Sequence, residues 1–333
     1  MKTIGFCGLP NSGKSTFLKL ITQTETLIAN YPFTTISPKL AKGYFKSDNL
    51  LKLHSLTKTP QLIPAHLNFL DVPGLIRGSH KGLGLGNEFL SYLRQADVVL
   101  EIVRNFKRED VIHSEGKIDP ERDILLIEEE IIEAEKKIIE ENFNKIKKQK
   151  EKKDKAEKLS YLLNNLSPFK RFPEFKEDLK EYNLLLTKDW FLIINGNLPL
   201  NLSQFKNLCF KKVYQLDFQF ELELQEEPEL QKEIPPNIND FLNNFRIDLD
   251  LIEFFTFTDE ITQSWLIGKN TTIIEAARII HSDFTERFKI AEVVELATFL
   301  TQPNWYILKS NGLVKQVGKD YYISEADIIK III

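Results

Sequence analysis

Gly8-Leu9-Pro10-Asn11-Ser12-Gly13-Lys14-Ser15-Thr16 decides the fold. The run fits the phosphate-binding pattern G-x-x-x-x-G-K-[ST]. Before it, Ile4-Gly5-Phe6-Cys7 reads as a short buried strand; after it, Phe17-Leu18-Lys19-Leu20-Ile21 reads as the first turns of a helix. Strand, glycine loop and helix in that order aim backbone N–H groups and a helix N-terminus at one anion. Lys14 is placed to reach the β- and γ-phosphates of a nucleoside triphosphate, and the Ser15 hydroxyl to ligate Mg²⁺. Asn11, Ser12, Gly13 and Thr16 complete the expected nucleotide-binding loop.

The 333 residues are long for one core, so two or three domains are expected. Charged residues at 28% and hydrophobic ones at 42% fit a soluble globular protein. A net charge of −4 gives no overall pull toward nucleic acid or an anionic membrane, so any such contact must come from a local patch. Neither DNA nor a membrane is expected as a partner. Cys7 and Cys209 are too few for a disulfide framework or a zinc site and point to a reducing compartment. The chain runs straight into its phosphate loop, leaving no room for a leader. No apolar run reaches the roughly 18 residues of a membrane span. A cytoplasmic location is expected.

Downstream, prolines bracket Ala29-Asn30-Tyr31-Pro32-Phe33-Thr34-Thr35-Ile36-Ser37-Pro38, which is therefore extended or a loop. Two readings stand for it: a threonine that closes on the γ-phosphate and Mg²⁺, or a plain connector. Leu67-Asn68-Phe69-Leu70-Asp71-Val72-Pro73-Gly74 is a buried strand ended by D-x-x-G. Asp71 can hold Mg²⁺ through water, and the Gly74 N–H can meet the γ-phosphate. The glycine-rich run Gly78 to Asn87 is expected as a switch loop. Glu88 to Gln95 reads as a helix and Val98 to Val103 as the next buried strand.

G-L-P-N-S-G-K-S-T, A-N-Y-P-F-T-T-I-S-P, D-V-P-G-L-I-R-G and K-G-L-G-L-G-N-E-F-L together resemble the Obg-related branch of P-loop NTPases. Val111-Ile112-His113-Ser114-Glu115-Gly116 and Asp119 to Ile124 are similar to its Obg-like ATPase (YchF) subfamily. Phe254-Phe255-Thr256, Trp265, and Ile279 to Val293 resemble that subfamily's C-terminal TGS domain. The resemblance implies Thr35 as the switch threonine, with Ser15, Thr35 and Asp71 around Mg²⁺. It implies Asn11 beside a K⁺ ion, and Leu75 where many relatives carry a water-orienting Gln. His113 has two readings, a catalytic side chain reaching in from a mobile loop or an exposed loop histidine.

Pro120 to about Leu166 is helical in pattern. Ile124, Ile127, Ile131, Ala134 and Ile138 make one seam, and Leu159, Leu162, Leu163 and Leu166 make another. The basic run Lys145–Lys158 between them is either an RNA-phosphate contact or a solvated helix face. Asp189 to Asn195 returns to strand. Guanine-specific relatives end this strand in N-K-x-D, and the subfamily usually carries N-x-x-E; here Asn195-Gly196-Asn197-Leu198 ends in a side chain that cannot accept a hydrogen bond. Losing the acid removes guanine discrimination and favours ATP. Asp217 and Phe218 stand where small residues usually sit, so Phe218 either stacks on the base or obstructs it. His281 is read as a structural hydrogen-bonder, with RNA contact as the alternative.

The expected architecture is α/β. A discontinuous P-loop domain comprises residues 1–115 and 185–235, with a helical coiled-coil insertion at 116–184 and a TGS-like β-grasp domain at 245–333. The expected activity is nucleoside triphosphate hydrolysis. Lys14, Thr35, Gly74 and His113 are candidates for catalysis, and Asn195, Asn197 and Leu198 for the base. The resemblance implies a ribosome or structured-RNA partner and a switch role in translation or stress. A GTPase of the same fold, or a nucleotide- or RNA-binding protein with little turnover, are the alternatives.

Overall fold

The structure is a computed structural model and describes residues 2–22, 29–30, 39–71, 85–111, 113–227, 229 and 237–333. Thr35, Gly74, Leu75 and most of the expected switch loops lie outside these residues. The chain forms two compact units and crosses between them after residues 42, 67 and 236.

The first unit opens with β1 (Thr3–Cys7), α1 (Lys14–Thr22), β2 (Ala29–Asn30) and β3 (Lys39–Tyr44). The chain then leaves for the second unit, where it makes α2 (Asp48–Thr57) and β4 (Gln61–Ile63), and returns along β5 (His66–Asp71). α3 (Leu85–Gln95), β6 (Val98–Arg104), α4 (Pro120–Ile146), α5 (Lys153–Asn165), β7 (Asp189–Asn195), β8 (Lys212–Leu216) and α6 (Phe218–Glu226) complete it. Its sheet has the order β2-β3-β5-β1-β6-β7-β8. β5, β1, β6, β7 and β8 run parallel, so their carboxyl ends share one edge, where open α/β sheets bind ligands. β6 is buried along its whole length, as a strand covered on both faces must be.

α4 begins on an Asp119 cap that accepts the Arg122 N–H, with Pro120 in its first turn. Its first half is no free arm. Ile124 packs with Val103, Leu192 and Ile194 of the sheet, and Ile127 and Ile131 join Val99 and Trp190. Only further on do Ile139 and Ile146 turn to Leu159 and Leu162 of α5. The insertion expected as a separate domain at 116–184 therefore shares the core of the P-loop unit, because its isoleucine seam is the cover that the sheet needs.

The second unit continues with α7 (Asn237–Asp248), β9 (Leu251–Phe257), β10 (Ile261–Gly268), α8 (Ile273–Ile280), α9 (Phe284–Arg287), β11 (Ile290–Glu295), α10 (Leu296–Thr301), α11 (Trp305–Ser310), β12 (Lys315–Val317) and β13 (Asp327–Ile332). The sheet order is β12-β11-β13-β9-β10-β4, with first and last long strands, β9 and β13, parallel neighbours. That arrangement is β-grasp-like. β9 alternates faces: Phe254 packs with Ile273 and Ala277 of α8, and Phe255 with Leu50 and Leu53 of α2.

Residues 43–67, expected within the P-loop domain, thus belong to this unit. Ser47 caps α2 by accepting the Leu50 N–H at 3.1 Å, and its hydroxyl donates to Glu253 Oε1 on β9 at 3.0 Å. β4 adds an edge strand beside β10. The apolar second face of this sheet is what recruits the segment. His281 caps the end of α8, where its Nδ1 accepts the Asp283 N–H at 3.3 Å.

Candidate nucleotide site

The carboxyl ends of β1, β6, β7 and β8 meet around one cavity of about 550 Å³. The phosphate loop follows β1. Gly8 has φ +157° and a Cβ there would sit 2.3 Å from Ile102 O. Gly13 has φ +105° and a Cβ there would sit 2.2 Å from Asn195 Nδ2. Both positions therefore require glycine. Asn11 holds a left-handed φ of 62°, which asparagine tolerates better than most residues. Lys14 Nζ donates to Gly8 O and Leu9 O, each at 2.8 Å, so the ammonium is held over its own loop. α1 starts at Lys14, and its first-turn N–H groups face the cavity bordered by Gly13, Lys14, Ser15 and Thr16. Ser12 Oγ is buried and finds no hydrogen-bond partner among the described residues.

Asn195, the last residue of β7, ties the two ends of the cavity together. Its Nδ2 donates to Ser12 O at 2.9 Å, and its Oδ1 accepts the Phe218 N–H at 3.1 Å. Asn105, after β6, completes the frame: Nδ2 donates to Leu198 O at 2.8 Å, and its own carbonyl accepts the Leu198 N–H at 3.3 Å. Leu198 and Asn197 line the cavity. Phe218 does not stand free to stack on a base. It borders the cavity beside Gly13 but is fully buried against Phe17 of α1, ring centroids 5.2 Å apart. Asp217 caps α6 by accepting the Phe220 N–H at 3.2 Å.

The remaining wall was not found in the sequence. Phe106, Lys107, Arg108 and Val111 come from the turn after β6, and Gln219, Phe220 and Glu223 from α6. The available signal was positional: they follow strands whose carboxyl ends neighbour that of β1. Arg104 fixes this turn, donating to Phe106 O at 3.1 Å and Val111 O at 3.0 Å while stacking on the Phe106 ring. Arg108 pairs with Asp110, which holds the Asp110 carboxyl below its usual range.

His113 is neither in the cavity lining nor exposed. Its side chain is 7% exposed, its Nε2 lies 2.8 Å from Asp123 Oδ2 in α4, and its Nδ1 accepts the Glu115 N–H at 3.1 Å. Both ring nitrogens are used, so the exposed reading gives way and the side chain ties this loop to α4. Asp71 ends β5 in register with Phe6, which sets its backbone at the ligand-binding edge. The oxygen donors expected around the phosphates suit Mg²⁺, a hard cation that takes few protein ligands beside phosphate. Among the described residues no cluster of three His, Cys, Asp or Glu side chains offers a metal site of another kind.

A family model described as "50S ribosome-binding GTPase" matches residues 3–145, and the YchF-GTPase C-terminal model, described as a protein of unknown function, matches residues 251–333. Obg-like ATPase 1 of Gallus gallus is 31% identical over 98% of this chain and 91% of its own length. The chain belongs to the Obg-like ATPase (YchF) family. Ribosome-binding ATPase YchF of Bacillus subtilis is also 31% identical, over 98% of both chains. The Schizosaccharomyces pombe YchF GTPase superposes with a TM-score of 0.82 at 27% identity, covering 99% of this chain and 97% of that one. As a member of the Obg-like ATPase family the chain is a nucleotide-binding, nucleoside triphosphate-hydrolysing P-loop enzyme. No described helix is long and apolar enough to cross a membrane.

Proposed function

We propose that this enzyme hydrolyses ATP in preference to GTP, acts as a nucleotide-dependent switch, and engages the ribosome or a structured RNA in the cytoplasm. The observation that carries the nucleotide choice is the base end of the cavity, where the Leu198 side chain offers no acceptor for guanine N1 and N2. Relatives are named both ATPase and GTPase, which keeps GTP as the competing reading.

Lys14 and the N–H groups of residues 13–16 bind and orient the β- and γ-phosphates, and positioning with charge stabilisation does most of the catalytic work. Ser15, Thr35 and Asp71 would hold Mg²⁺, which would supply charge neutralisation on the phosphate oxygens. Gly74 reports the γ-phosphate, Asn11 is the proposed neighbour of K⁺, and backbone groups, another side chain or a cation place the water that Leu75 cannot orient. His113 positions rather than reacts.

For the partner, the tip of the helical hairpin supports the reading. Lys155 pairs with Glu181, and Lys158 with Asp154 and Asp178. Lys147, Lys148, Lys150, Lys152 and Lys153 are exposed, and four of them rim a groove of about 650 Å³ with Phe143 beside it. A basic groove of this kind suits RNA phosphates. Replacing Lys147, Lys148, Lys152 and Lys153 with Ala should weaken ribosome co-sedimentation and flatten its salt dependence by roughly 0.7–0.9 per lost phosphate contact, with ATP turnover nearly unchanged. Salt-independent binding, or wild-type binding by that variant, would remove the hairpin from the reading.

A further inference from the structure

We propose that Gln219 is the residue that reads the base, that it selects adenine, and that Arg108 and Glu223 position it. The inference rests on the ATP reading above and deepens it by naming the discriminating group.

Several polar groups at this end brace the fold. Asn195 is buried and ties Ser12 O to the Phe218 N–H. Leu198 is bonded to Asn105 through its N–H and its carbonyl. Asp217 caps α6. Gln219 is placed otherwise. It lines the cavity from an exposed position in the first turn of α6, and it is gripped from both sides. Arg108 Nη1 donates to its Oε1 at 3.4 Å, and its Nε2 donates to Glu223 Oε1 at 3.0 Å.

A primary amide has two acceptor sites and two N–H donors. With one of each engaged, one acceptor and one donor remain. Adenine offers a matching edge, an N6 donor beside an N7 acceptor, the pairing Gln makes with adenine elsewhere. Guanine offers two acceptors there, O6 and N7, and its O6 would face the Gln219 carbonyl. The residue that could favour guanine is Arg108, since a free guanidinium reads O6 and N7 together. Asp110 prevents that: its two carboxylate oxygens take Arg108 Nε, at 3.0 Å, and Nη2. The Asp110–Arg108–Gln219–Glu223 chain thus presents an adenine-type edge and withholds a guanine-type one.

The test is calorimetric titration of the full-length protein with ATP and with GTP, for wild type, Gln219→Leu and Asp110→Ala. Both residues are exposed. Gln219→Leu should weaken ATP about tenfold and leave GTP within about twofold, while Asp110→Ala should strengthen GTP several-fold with ATP little changed. A Gln219→Leu protein that keeps the wild-type ATP-to-GTP ratio, or loses both nucleotides equally, overturns the proposal while the ATP reading stands. A wild type that prefers GTP overturns both.

Discussion

The two ends of one cavity were built by different means. At the phosphate end the geometry is backbone: two glycines whose absent Cβ atoms leave room for Ile102 O and the Asn195 amide, and a lysine lying on its own loop. At the base end it is side chain, drawn from the turns after β6, β7 and β8 and from α6. Backbone devices tolerate few residue types and so leave a fixed local pattern. A side-chain wall collected from separate turns can be rebuilt residue by residue without disturbing the fold. The phosphate end should therefore carry affinity and chemistry, and the base end choice.

The largest effect expected is at the phosphate end. Lys14→Ala should abolish multiple-turnover phosphate release and weaken ATP and GTP alike, because it removes the charge from both triphosphates. Unchanged turnover would break the comparison at its strong side. Asn195→Ala comes next, since it frees Ser12 from Phe218 and orphans a buried N–H and carbonyl. Thermal or denaturant unfolding should show a loss of about 1–3 kcal/mol, and both nucleotides should weaken by the same factor. A selective loss of one nucleotide would make Asn195 a base reader instead of a brace.

Leu198→Asp acts at the base end alone. The new carboxylate can accept from guanine N1 and N2, so the preference should move toward GTP by about 1–3 kcal/mol, with the rate per bound nucleotide little altered. An ATP-to-GTP affinity ratio that does not move would place Leu198 away from the base.

A smaller effect tests the strand beneath the phosphate loop. Glu101 on β6 pairs in register with Cys7, is fully buried, and neither carboxyl oxygen has a hydrogen-bond partner among the described residues. Burial, and then the nearby Glu128 carboxylate, push its pKa well above the usual range. A carboxyl that holds its proton more tightly when folded costs stability as pH rises above its unfolded value, near 4. Glu101→Gln removes that titration. It should be more stable than wild type at pH 8 by on the order of 1 kcal/mol, with the advantage fading as pH falls toward 4. An advantage independent of pH would show that Glu101 does not titrate in this way.

Sequence legibility followed the same division. Gly8 to Thr16, the strand ending at Asp71 and the isoleucine seam of α4 are local periodicities or fixed spacings, and each was read from neighbouring residues. The β-grasp strands were likewise visible as short apolar runs. What escaped reading depends on distant partners. Nothing local says that Leu50 and Leu53 pack on Phe255, two hundred residues on, so 43–67 was placed in the wrong unit. His113 looked like a loop histidine because its partner, Asp123, belongs to the next helix. Whether Phe218 stacks on a base or obstructs it could not be read locally, because its burial is set by Phe17 of α1.

The division between the two ends is tested most directly by competition of ATP and GTP for one site. Labelled ADP bound to the wild-type protein would be displaced by each triphosphate in the presence of Mg²⁺. The account predicts complete displacement by both, through the shared phosphate end, with ATP effective at a several-fold lower concentration. Displacement by GTP at an equal or lower concentration would contradict it.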